Sequence, residues 1–120
     1  MSTPGTPSLP ALRQLSPSLW VTGQITETDL PAIAEAGFST LICNRPDGED
    51  PGQPGHLAIA QAAERLGLGF AFLPVVGGGI GAAEAQAFAA LLAAAPGPVL
   101  AYCRSGQRCT VLWDLSQAGP

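Results

Sequence analysis

The sequence has no lysine. Its positive charge rests on five arginines set against nine acidic residues, for a net charge of −4. A chain so poor in basic residues lacks the positive surface that nucleic acid or anionic lipid would need, so neither nucleic acid nor membrane is expected as a partner. Long hydrophobic runs are missing too. The longest, around Ala82 to Ala95, is alanine-rich, interrupted by Glu84 and Gln86, and shorter than the ~20 residues a bilayer crossing takes. The first ten residues, MSTPGTPSLP, have neither a basic start nor an apolar centre, so they do not read as a secretory signal and cytoplasmic is the default location. Cysteine is scarce: three, an odd number without framework spacing, fit a reducing compartment better than a disulfide scaffold. A lone histidine, His56, with no Cys-x-x-Cys pair gives no metal site, and nothing else in the sequence asks for a cofactor.

What is present is 47% hydrophobic residues in 120, enough for one core and one domain. Residues 1–15, proline-rich at the start, are expected to be a flexible segment and 16–120 the domain. Strand-like and helix-like runs alternate. LWVT (19–22), FSTLIC (38–43), FAFLPV (70–75) and PVLAYC (98–103) read as strands. Helices are expected from TDLPAIAEAG, near 56–66, through the alanine-rich run to about Ala95, and from about Arg108 to Gln117. Thr28 is the expected cap of the first helix because it puts Pro31 in the first turn, where a missing N–H costs little. Such alternation predicts an α/β fold: a central parallel sheet of four strands or slightly more, with helices on both faces. Loops 44–55, 76–81 and 103–108 then share the edge at the strands' carboxyl ends, where ligands bind in such sheets.

The segment AYCRSGQRCT (101–110) carries the most chemistry. Cys103 ends a strand and precedes a helix N-terminus, where the dipole and free N–H groups favour a thiolate. Gly106 permits a tight turn whose amides, with Ser105 and Gln107, form a nest for an oxyanion. Arg108 can fork two hydrogen bonds onto that anion, and Arg104 and Arg45 lie near strand ends on the same edge, concentrating positive charge in an acidic protein. Cys103 thus reads as a nucleophile, with an inert buried cysteine as the other reading. Asp47, with Glu49 and Asp50 behind it in NRPDGED, is the candidate general acid; the alternative is an acidic residue in a polar turn. Cys43 and Cys109 read as buried structural thiols, with resolution of an oxidised Cys103 as the alternative. Trp20 and Trp113 read as core or interface fillers. GGGIG is no dinucleotide fingerprint, since it follows the third strand and no acid stands at ribose-binding distance.

The loop and its flanks, with TGQITETDLPAIAEAGFSTLICNRPDGEDPGQPG and LGFAFLPV, resemble the beta-lactamase hydrolase-like protein, phosphatase-like domain family, over about Leu19 to Trp113. The resemblance implies a tyrosine phosphatase-like α/β fold, phosphomonoester hydrolysis through a phosphocysteine, no cofactor, and a small anionic substrate. Members also occur fused to, or alongside, persulfide-handling metallo-hydrolases. Tyrosine phosphatase-like loops run His-Cys, five residues, then Arg. Here Tyr102 stands for the histidine, Arg108 comes one residue early, and Cys109 takes the arginine's place. The shorter loop equally resembles that of rhodanese-type sulfurtransferases, which implies a Cys103 persulfide filled from a sulfane sulfur donor and needs no acid. A non-catalytic anion or phosphopeptide binder is the third reading. Relatives of this fold usually carry further helix after the position of Trp113, so a thinly covered face that serves as a partner surface or a homodimer contact is expected.

Overall fold

The computed structural model describes residues 11–118. Five short strands form one sheet: β1 (Arg13–Ser16), β2 (Leu19–Thr22), β3 (Thr40–Cys43), β4 (Gly69–Phe72) and β5 (Val99–Tyr102). Their order is β1-β2-β5-β3-β4, with β1 antiparallel to β2 and every other pairing parallel. The helices are α1 (Leu30–Glu35), α2 (His56–Arg65), α3 (Ala82–Ala94) and α4 (Gln107–Ala118). None of them is long and apolar enough to cross a membrane.

Successive side chains of a strand point to opposite faces, and the two cores follow that period. Leu41 and Cys43 of β3 and Leu100 and Tyr102 of β5 pack with Ile33 of α1 and Ile59 of α2. Ile42, Val99 and Ala101, with Cys103 just past β5, pack instead with Phe88 of α3 and with Cys109 and Leu112 of α4. The α/β sheet is therefore covered on both faces, as the alternation predicts.

Three boundaries differ from expectation. The first strand, β1, begins at Arg13, inside the segment expected to be flexible; residues 1–10 lie outside the described residues. Its sequence, RQLS, lacks the apolar alternation that marks a strand, and pairing with β2 supplies its order. At the first helix, Thr26 rather than Thr28 holds the capping position. A 3₁₀ turn over Glu27–Asp29 precedes α1, and Asp29 Oδ2 accepts the Thr26 N–H at 2.9 Å, while Thr28 sits inside the turn. Pro31 nevertheless falls in the first turn of α1. The third expected strand, 70–75, shortens to β4 because Pro74 cannot donate to the ladder, although the Leu73 and Val75 amides still reach the Cys43 and Asn44 carbonyls at 2.9 and 3.0 Å.

Candidate active site

The loop after β5 is built against the end of β2. The Cys103 N–H donates to the Thr22 carbonyl and the Gln24 N–H to the Arg104 carbonyl, both at 3.3 Å. Two glycines make that approach possible. A Cβ on Gly23 would lie 2.9 Å from the Arg104 carbonyl oxygen, and Gly106 turns the chain with φ +91° while lying against the Thr22 backbone. The Gly-Gln pair after β2 is thus the wall on which the loop rests.

Inside the turn lies the Cys103 sulfur, fully buried, with the Gly106 N–H donating to it at 3.1 Å. α4 begins one residue after Gly106, so its N-terminal dipole faces the same sulfur. Cys103 is held down to about 5, first by a hydrogen bond from the Cys109 thiol, then by the amides of Cys109, Ser105 and Arg108, all acting against burial. A thiolate at neutral pH follows. Cys109, enclosed in the core and beside that negative sulfur, is pushed well up and remains a thiol. The Ser105 hydroxyl accepts the N–H of Gln107, the first residue of α4, at 3.3 Å.

The arginines are distributed differently from the sequence-based picture. Arg108 does not stand free to clasp an anion: NH1 and NH2 donate to the two carboxylate oxygens of Glu49 at 2.9 and 2.8 Å, and NH1 also donates to the Val75 carbonyl at 2.9 Å. Arg45 is almost wholly buried. It donates from Nε to Glu49 at 2.9 Å, from NH1 to Gln24 Oε1 at 3.0 Å and from NH2 to Asp50 at 2.7 Å. Its burial among carboxylates makes it a structural post of the acidic loop. Glu49 joins the two guanidinium groups, which pull its carboxyl down to about 2, Arg108 contributing most. Arg104 is largely exposed, 3.8 Å from Asp50.

Asp47 lies away from that network. Its carboxylate accepts the His56 N–H at 2.9 Å, at the first residue of α2, and meets His56 Nδ1 at 2.6 Å. The His56 ring stacks on Phe72, centroids 3.6 Å apart. These bonds, the backbone one foremost, hold Asp47 below the usual carboxylate range. Asp47 therefore serves as the N-terminal anchor of α2, and the proton of a general acid is not stored there in this conformation.

Beside the loop opens a cleft of about 450 Å³, between Gly77, Gly78 and Ile80 on one side and Arg104, Ser105 and Arg108 on the other. Among the described residues no carboxylate lines it. Ser105 and Gln107 also border a second cleft of about 620 Å³ toward Arg13 and Asp114. Gln24, which accepts from Arg45, escaped the sequence reading as a site residue, and Glu49 figured there only as an alternative acid. Glu49 stands four residues after Arg45, a readable pairing, but its partnership with Arg108 spans too much sequence to be seen.

The profile of the beta-lactamase hydrolase-like protein, phosphatase-like domain matches residues 11–120. A beta-lactamase hydrolase-like protein of Agrobacterium fabrum is 39% identical over 105 residues, 88% of this chain but 24% of that protein. Its Xylella fastidiosa counterpart is 41% identical over 99 residues, 82% of this chain and 23% of the relative. The chain thus spans about a quarter of the length of these relatives. Among solved structures, a candidate phosphatase of Neisseria meningitidis superposes with TM-score 0.83 at 40% identity, covering 88% of this chain and 75% of that one. The core catalytic domain of a PP-IP phosphatase from S. cerevisiae shares the fold alone, with TM-score 0.69 at 13% identity over 87% of this chain and 63% of that one. The chain belongs to the beta-lactamase hydrolase-like protein, phosphatase-like domain family.

Proposed function

We propose that this phosphatase-like domain is a cysteine-dependent hydrolase of small phosphate esters, with Cys103 as nucleophile. One observation carries the reading: a buried thiolate at the centre of loop amides at a helix N-terminus. The thiolate attacks phosphorus, an S–P bond forms as the ester P–O bond breaks, and water then cleaves the phosphocysteine. The amides of Ser105, Gly106 and Gln107 would hold the non-bridging oxygens, and Arg104 at the cleft rim would attract the anion. Arg108 would reach the phosphoryl group by exchanging the Glu49 carboxylate for that anion, a like-for-like replacement of one forked partner by another.

The acid is the weak point of the hydrolase, and it favours a second reading. Asp47 is bound to His56, Glu49 to two arginines, Asp50 to Arg45, and among the described residues no carboxylate borders the cleft beside Arg104 and Arg108. Esters whose leaving groups depart without a proton are the substrates best suited to such a site. Sulfane sulfur transfer to a Cys103 persulfide needs no acid at all, since sulfite or a thiolate leaves unaided.

Assay of the protein and its Cys103→Ser variant with p-nitrophenyl phosphate, and separately with thiosulfate plus a thiol acceptor, decides between them. Cys103-dependent nitrophenol release establishes the hydrolase. Sulfite release alone establishes the sulfurtransferase, and anion binding unchanged by the variant without turnover of either substrate leaves a binding module.

A further inference from the structure

The sheet has two edges, and they are finished differently. β1 is guarded as natural sheets guard an edge: it carries Arg13, its register slips between Gln14 and Ser16, and the Gln14 side chain donates to the Ser16 carbonyl at 3.1 Å. β4, at the other end of the order, has none of these devices. Its sequence is Gly-Phe-Ala-Phe, without charge or proline, and its register against β3 runs unbroken from Gly69 to Phe72. The Gly69 and Leu73 amides donate to the Ser39 and Cys43 carbonyls, both at 2.9 Å. In a ladder of period two, the main-chain groups of Phe70 and Phe72 then face away from β3. Among the described residues no loop or side chain bonds to them, and Phe72 is 37% exposed.

We propose that β4 is the contact of a homodimer, in which a second copy of this chain adds its own β4 antiparallel, across a two-fold axis at Ala71. The choice of a second copy rests on how the strand fits itself. About that axis Phe70 of one copy stands opposite Phe72 of the other as a hydrogen-bonded pair, each N–H donating to the other's carbonyl. The axis repeats the pair, so four bonds satisfy every outward group of both strands. A shift of one residue would set Phe70 against Ala71, whose main-chain groups already face β3, so the register is specified. The Phe70 and Phe72 rings lie on the α2 face, Phe70 against the core and Phe72 stacked on His56, and each would meet a ring of the other copy directly across the pair. On the opposite face Ala71 meets its own copy and is small enough for that close approach. No charge in the strand is set against itself. α2 packs on β4, and Leu57 within it and Leu66 just past it are exposed apolar surface that the second α2 would help to cover. The two sheets would become one of ten strands, through a contact short enough to come apart on dilution.

Two measurements on the wild-type protein come first. Light scattering is expected to give a mass that rises with concentration toward twice that of the chain. Hydrogen exchange read residue by residue should find the Phe70 and Phe72 amides about tenfold or more slower in concentrated than in dilute protein, while the amides of α4 do not change. Ala71→Lys and Ala71→Glu each set like charges face to face on the axis and are expected to be monomers. An equimolar mixture of the two should recover the dimer, because opposite charges then meet. A wild-type chain that stays monomeric at every concentration overturns the proposal and leaves the edge to an extended segment of some other protein. So does a dimer whose Phe70 and Phe72 amides exchange at unchanged rates, which places the contact elsewhere, as on α4 around the exposed Val111 and Leu115. A mixture no more dimeric than its two parts, each folded by circular dichroism, overturns it as well.

Discussion

Cys43 and Cys103 end neighbouring parallel strands, yet their sulfurs live in opposite surroundings. Cys43 is paired in register with Tyr102, one residue short of Cys103, and that offset sends the two side chains to different faces. After Cys43 the chain enters a long acidic loop; burial pushes its thiol up, against hydrogen bonds from the Tyr102 hydroxyl and the Arg45 backbone. After Cys103 it turns at once into α4, whose amides and the Cys109 thiol bring the sulfur down to about 5. Residue type and strand position are shared. What differs is the turn that follows, and a helix N-terminus within hydrogen-bonding reach decides which cysteine is charged.

The comparison is broken most severely at Cys103 itself. Cys103→Ser is expected to lower turnover of whichever substrate proves active by about a thousandfold or more, with little change in stability, since it removes covalent catalysis and keeps the loop. Steady-state kinetics and thermal melts read the two effects apart. Next in size is Gly23→Ala, whose new methyl would press on the Arg104 carbonyl at 2.9 Å. The loop must move outward, costing about 1–3 kcal/mol in denaturant unfolding and carrying the Cys103 midpoint upward.

Glu49→Gln tests the acidic loop. It takes a charge from between two guanidinium groups and is expected to cost about 2 kcal/mol at neutral pH. The sign follows from the lowered carboxyl: the wild-type contribution is full above the unfolded value of 4.5 and fades as pH falls through about 2. Wild type and variant should therefore converge in stability between those limits, as seen by melts taken from pH 5 downward. Cys43→Ser is the smallest perturbation, about 1 kcal/mol of stability, with turnover and the Cys103 midpoint unchanged. A shift in that midpoint would couple the two strand ends across the sheet and defeat the comparison.

How much was legible depended on distance along the chain. Cys103, Gly106 and the start of α4 are contiguous, so thiol, turn and helix dipole could be read together. The alternation Leu41-Ile42-Cys43 and Leu100-Ala101-Tyr102-Cys103 already encodes the opposite faces, although only a known register makes it usable. The partner of Arg108 is not legible in the sequence, because Glu49 arrives from another loop and competes with any anion for the same fork. Asp47 has the residue type of a general acid; its hold on the start of α2 rests on nine residues of loop folding back to His56. The strand RQLS carried no pattern of its own, being an edge whose order comes from β2.

The account rests on Cys103 being a thiolate at neutral pH, and the most direct test is the pH dependence of its alkylation. Iodoacetamide labelling of the native protein, read on tryptic peptide 66–104 for Cys103 and followed from pH 4 to 10, should rise with a midpoint of about 5, while peptide 14–65, with Cys43, labels only at far higher pH or after unfolding. A Cys103 midpoint in the ordinary thiol range, ~8.5, would mean that the loop and α4 do not hold a charged sulfur, and the proposed nucleophile would fall with it.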